Sequence, residues 1–97
     1  MPQYYFAIAS KQFLVDTEPV EEILRERSNY YQSTNKDIDF WFTTNPKFIH
    51  LPQFQYIKKK LKNTPAAIIS LDEQFIEWIK LRINFVTTGK FQSDYFE

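Results

Sequence analysis

The stretch Tyr4–Ala9 constrains the fold most. It alternates large and small side chains, with Tyr4, Phe6 and Ile8 on one face of an extended strand and Tyr5, Ala7 and Ala9 on the other. Alanines on the second face let a helix approach the strand closely. The next segment, KQFLVD, reads either as a continuation of the strand past a bend or as a connecting loop. Asp16 and Thr17 then precede Glu18-Pro19, a helix start with proline in the first turn. Val20, Ile23, Leu24, Arg27, Tyr30 and Tyr31 follow at helical spacing, and Glu21, Glu22, Arg25 and Glu26 turn outward. That is a surface helix with one buried stripe.

QSTNKD breaks this helix, and DIDFWFTT reads as a strand with Ile38, Phe40 and Phe42 on one face and Asp39 and Trp41 on the other. The segment NPKFIHLPQ is a turn or a short edge strand, because Pro46 and Pro52 forbid a long central one. Phe54–Leu61 forms a second helix whose terminal lysines suit the negative end of its macrodipole. AAIISL is a buried strand. Ser70-x-x-Glu73 reads as a capping box opening a last helix that runs to Thr88, with Gly89 as its stop and FQSDYFE as an aromatic tail. These elements specify an α+β chain: a ferredoxin-like βαββαβ plait, its sheet antiparallel, with an additional C-terminal helix. A three-stranded sandwich is the rival if Lys47–His50 is only loop. At 97 residues the chain is expected to be a single domain spanning 1–97.

Catalytic chemistry is hard to find. Cysteine is absent, which excludes disulfides, thiolate catalysis and Cys-ligated metals. The one histidine, His50, lies in a loop between prolines and reads as a surface residue. A single glycine rules out a glycine-rich phosphate loop. No Glu-x-x-His pair marks a di-iron site in this chain. The expectation is a chain that is not an enzyme and carries no cofactor or metal. Twelve basic and twelve acidic residues cancel, so wholesale attraction to nucleic acid or lipid is not expected. The first strand starts almost at Met1, so a signal or transit peptide is not expected, and no window is apolar enough to span a bilayer. Membrane contact is expected only through a partner.

Aromatics are in surplus at 19% of the chain, and so small a core can hardly bury them all; some are expected to face a partner. In the last helix the wheel places Glu73, Glu77, Lys80, Asn84 and Thr87 on one stripe and Arg82 roughly opposite, beside Phe75, Trp78, Ile79, Phe85 and Val86. Two readings stay open. Arg82 ion-pairs within the fold, with Asp39 or Asp72, or snorkels to water; or Arg82, Trp78 and Phe85 form the centre of a docking surface, where a guanidinium stacks on rings and grips a carboxylate. Asp39, sharing a strand face with Trp41, carries the same pair of readings.

The blocks YYFAIAS, FLVDTEPVEEILRER, IDFWF, AAIIS and FIEWIKLRINFVTTGKF resemble, in order and spacing, a small protein family of cyanobacteria and plastids, the fifty-fourth of the hypothetical chloroplast reading frames. The resemblance covers about nine tenths of the chain. It implies a non-catalytic accessory or assembly subunit of the oxygen-dependent cyclase that closes the fifth ring of magnesium-protoporphyrin IX monomethyl ester in chlorophyll biosynthesis. The partner it implies is the separate di-iron catalytic subunit, with at most indirect contact with the tetrapyrrole. It places the chain in the cytoplasm or plastid stroma, at the membrane only through that partner. By similarity Ala9, Asp39, Phe40 and Arg82 support partner binding: Ala9 by close approach, Phe40 by packing, Asp39 and Arg82 by charge. The competing functions are a porphyrin-binding module that delivers substrate and an RNA-binding plait. Zero net charge and the lack of an RNP-like run oppose the last.

Overall fold

Four strands form one antiparallel sheet: β1 (Gln3–Ser10), β2 (Phe40–Thr44), β3 (Pro65–Ser70) and β4 (Thr87–Gln92), in the order β2-β3-β1-β4. The structure, a computed structural model, describes residues 2–61 and 63–94. Three helices connect the strands: α1 (Val20–Ser33), α2 (Gln55–Lys60) and α3 (Glu73–Arg82). The strand order is that of a ferredoxin-like plait, and the fold class stands.

The strands that build the plait differ from the expected set. Lys47–His50 is a short 3-10 turn, not a strand, and a second such turn, Pro52–Phe54, leads into α2. The fourth strand is instead β4, cut from what the sequence suggested was the end of the last helix. That helix ends at Arg82, because Ile83, Phe85, Val86, Thr87 and Thr88 are β-branched or aromatic residues that favour a pleated surface once a sheet edge is available. The additional helix of this plait is therefore α2, inserted between β2 and β3, and α3 is one of the two plait helices. Gly89 is not a helix stop. It lies in β4 opposite Phe6, and a Cβ there would come within 2.6 Å of the Phe6 ring.

Both faces of the sheet are covered, and the β1 alternation explains why. Ala7 and Ala9, with Ala66 and Ile68 of β3, lie under α1 and α3. Phe40, Phe75, Ile76, Ile79 and Ile83 close that core, the small strand side chains admitting the helices as the sequence led us to expect. Tyr4, Phe6 and Ile8 face the other way and are covered by Phe48, Ile49, Phe54 and Ile57 from the β2–β3 connection. Phe48 stacks on Phe91 at 4.6 Å and Phe6 meets Phe54 edge-on at 5.1 Å. The face on which a plait would stack RNA bases is thus filled from within.

Local details are set by individual polar groups. KQFLVD resolves into a wide helical turn, Phe13–Thr17, closed by the Glu18 N–H donating to Phe13 O at 2.7 Å. The capping box does not form. Asp72 caps α3 by accepting from the Gln74 N–H at 3.0 Å, and Ser70 Oγ accepts from the Asp72 N–H at 2.9 Å while donating to Asp39 O at 3.1 Å. At the other end of α3, Lys80 Nζ donates to the carbonyls of Asn84 and Val86 and so satisfies backbone acceptors where the helix stops. Of the tail, Phe91 and Gln92 belong to β4, and Tyr95, Phe96 and Glu97 lie outside the described residues.

Candidate protein-docking surface

A chain of polar contacts runs between the two plait helices at the end where α3 begins. Arg27 Nη2 donates to Tyr31 Oη at 2.7 Å and to Asp72 Oδ2 at 3.2 Å, and Tyr31 Oη donates to Asp39 Oδ1 at 2.8 Å. Lys36 Nζ lies 4.0 Å from Asp39 Oδ2. The Arg27 guanidinium lies 3.8 Å from the centre of the Phe75 ring, with the Tyr31 and Phe40 rings at 4.9 and 5.5 Å. Ring faces carry negative quadrupole density, so three aromatics hold a cation whose Nε finds no acceptor among the described residues. Burial of the Tyr31 hydroxyl, with its bond to Asp39 second, pushes its pKa above the ordinary tyrosine value.

Arg27 and Phe75 form the floor of an open groove of about 470 Å³ between α1 and α3, walled by Ile23, Tyr30 and Trp78. Beyond Trp78 two further large apolar side chains are exposed between polar ones. Trp78, Leu81 and Phe85 are 47%, 80% and 81% exposed, and Phe85 rests edge-on against Phe13 at 6.1 Å. Arg82 stands exposed among them.

The six residues expected to form the site fall into two groups. Asp39 and Phe40 lie with Asp72 at the start of α3, because Phe40 pairs with Ser70 and Ser70 with Tyr5. Ala9 pairs with Ala66 at the opposite end of the sheet, where Ile8 meets Thr87 and α3 delivers Arg82 and Phe85. The length of α3 separates the groups by roughly 15 Å, with Trp78 between them. Ala9 and Phe40 are buried under the helices, Asp39 is 23% exposed, and Trp78, Arg82 and Phe85 face outward.

Two local expectations change. Asp39 precedes β2, so strand alternation does not govern it; its side chain turns to the helix layer and Tyr31, while Trp41 packs on the opposite core. Arg82 pairs with neither Asp39 nor Asp72, since Arg27 reaches Asp72 directly and Asp39 through Tyr31. The half-buried arginine seated among rings is Arg27. Its signal was in the sequence: an arginine on the apolar stripe of α1, four residues before a tyrosine on the same stripe.

Residues 2–93 match the model of the Ycf54 protein family. The chain belongs to the Ycf54 family. The uncharacterised ycf54 protein of Porphyra purpurea is 52% identical over 92 residues, covering 95% of this chain and 85% of that protein. The Ycf54-like protein of Synechocystis sp. is 43% identical over 93 residues, covering 96% of this chain and 70% of that one. The solved structure of the Ycf54 A9G mutant protein from Synechocystis sp. PCC6803 superposes with a TM-score of 0.93 at 41% identity, over 98% of this chain and 90% of that chain. A more distant relative, 32% identical over 94% of this chain and 43% of its own length, is the Arabidopsis thaliana protein YCF54, named chloroplastic. The Ycf54 relatives thus come from cyanobacteria and plastid-bearing organisms, and no described helix is long and apolar enough to cross a membrane.

Proposed function

We propose that the chain is a non-catalytic accessory subunit that docks on the di-iron magnesium-protoporphyrin IX monomethyl ester cyclase, in the cytoplasm or plastid stroma, and supports its accumulation or activity. One observation carries the reading. Trp78, Leu81 and Phe85 stand exposed around Arg82, which makes no ion pair among the described residues. Aromatic side chains flanking an uncommitted arginine have the composition of a binding hot spot, and exposing them in isolation has no folding benefit. Arg82 and Phe85 anchor the contact, Trp78 extends it into the α1–α3 groove, Ala9 lets α3 sit close to the sheet, and Phe40 and Asp39 hold the groove's far end. A porphyrin carboxylate entering the groove would compete with Asp72 for Arg27, which favours protein docking over substrate delivery.

The test is affinity isolation of tagged wild type and Arg82→Ala from native membranes, with a thermal melt of each purified protein. Arg82→Ala should melt within about 0.5 kcal/mol of wild type, as exposed substitutions do, and lose the large di-iron subunit. Equal recovery of that subunit by the variant, or an unfolded variant, would overturn the reading.

A further inference from the structure

The net charge of zero conceals a separation. Between Asp39 and Asp72 the sequence contains no carboxylate at all, yet it carries Lys47, Lys58, Lys59, Lys60 and Lys62. Most of the carboxylates lie instead on α1 and α3 and the turns that lead into them. The sheet lies between those carboxylates and Lys47, Lys58, Lys59 and Lys60, because Phe48, Ile49, Phe54 and Ile57 pin their segment to the face opposite those helices. Lys47, Lys58, Lys59 and Lys60 are exposed and none has an ion-pair partner among the described residues.

We infer that the α2 face binds directly to an anionic lipid surface through Lys47, Lys58, Lys59 and Lys60. Consecutive positions 100° apart spread Lys58, Lys59 and Lys60 around α2, with Lys59 nearly opposite buried Ile57 and the other two flanking it. Such a spread suits a diffuse field of headgroup charges better than a row of protein carboxylates. The bases are all lysines, flexible point charges, where a specific carboxylate or phosphate contact favours the fixed fork of arginine. Tyr56 and Leu51 are exposed on the same segment and supply the amphipathic groups that settle at headgroup depth. Helix dipole compensation explains one or two cations at the end of a six-residue helix; it does not explain Lys47, or the absence of every acid from the whole segment. A chain so docked presents α1 and α3 away from the lipid. The inference goes beyond the accessory role and departs from the expectation that membrane contact comes through a partner.

Sedimentation of the purified full chain with phosphatidylcholine vesicles, with and without phosphatidylglycerol, tests it. Binding should require phosphatidylglycerol and should be released by added salt. Each lysine at an anionic surface contributes roughly fivefold, so Lys58→Gln/Lys59→Gln/Lys60→Gln should weaken partitioning about a hundredfold, and Lys58→Arg/Lys59→Arg/Lys60→Arg should retain it. Circular dichroism and melting of both variants should match wild type, because none of the three side chains packs in the core. Equal binding to vesicles lacking phosphatidylglycerol, unchanged binding by the glutamine variant, or binding to poly(U) without binding to anionic vesicles would each overturn the inference.

Discussion

Removing one oxygen atom tests whether the Arg27–Tyr31–Asp39 chain holds the two plait helices together. In Tyr31→Phe the ring keeps its edge-on contact with Phe40 at 5.3 Å, so apolar packing is conserved. What is lost is one hydroxyl that accepts from Arg27 at 2.7 Å and donates to Asp39 at 2.8 Å. A hydrogen bond to a charged group is worth about 1.5–3 kcal/mol net. Two such bonds do not sum here. Arg27 keeps Asp72, and the Arg27 and Asp39 side chains are 22% and 23% exposed, so water replaces part of each loss. The expected destabilisation is about 1.5 kcal/mol, a fall in Tm of roughly 6–12 °C for a domain of this size.

Thermal melts of wild type, Tyr31→Phe, Asp39→Ala and the double variant supply the assay. Because the two residues share a bond, the double variant should be less destabilised than the sum of the singles, by about 1 kcal/mol. The pH dependence has a definite sign. The folded Tyr31 pKa is raised, so the unfolded chain releases that proton first, near pH 10. Its contribution is therefore complete below about pH 10 and is lost as the pH rises from there through the folded value. Tyr31→Phe should flatten this alkaline decline relative to wild type. Additive melts together with an unchanged alkaline limb would refute the network.

Two further substitutions probe other parts of the molecule. Gly89→Ala places a Cβ 2.6 Å from the fully buried Phe6 ring, which Phe48, Phe54 and Phe91 hold in place; denaturant melts should show a loss of about 1–3 kcal/mol, and a neutral result would mean that β4 shifts freely. Asp39→Asn keeps an acceptor for the Tyr31 hydroxyl while removing the charge, so it should melt closer to wild type than Asp39→Ala; affinity isolation of the large subunit then reads the charge alone, and full retention would confine Asp39 to folding.

Sequence periodicity located the sheet's interior well because β1 is buried on both faces and its two residue sizes meet different layers. The size difference is a packing requirement and so is written in the side chains. The C-terminal part was misleading for a related reason. Trp78 and Phe85 are large and apolar, and a helix wheel gives the same signal for buried residues and for exposed apolar ones. Extending the wheel through Thr87 and Thr88 also ignored that β-branched residues take up a strand once an edge such as that of β1 is available, which is a long-range condition. The same limit explains Asp39, whose orientation is decided by a tyrosine on another element, and Arg27, which its spacing puts on the buried stripe of α1 but which meets Asp72 only once the chain has folded. The charge segregation was present in the sequence as a run of 32 residues without a carboxylate, but only the fold shows that Lys47, Lys58, Lys59 and Lys60 lie on the side of the sheet opposite α1 and α3.

The division of the candidate site into two ends changes what a loss of partner means. At the start of α3, Asp39 and Phe40 touch Arg27 or Tyr31, so altering either loosens the contact between α1 and α3 as well as the surface above it. At the end of α3, Arg82 and Phe85 are exposed and their removal leaves the core intact. A partner lost on changing Asp39 or Phe40 therefore reports docking only after stability has been accounted for, whereas one lost on changing Arg82 reports it directly. Under the proposed docking, groups bound into the fold still serve the interface, because α3 must be held at a fixed angle to present Trp78 and Arg82 together. The aromatic-seated Arg27 ties α1 to the start of α3 from inside the protein, and Arg82, fifty-five positions later, stands exposed at the helix's other end.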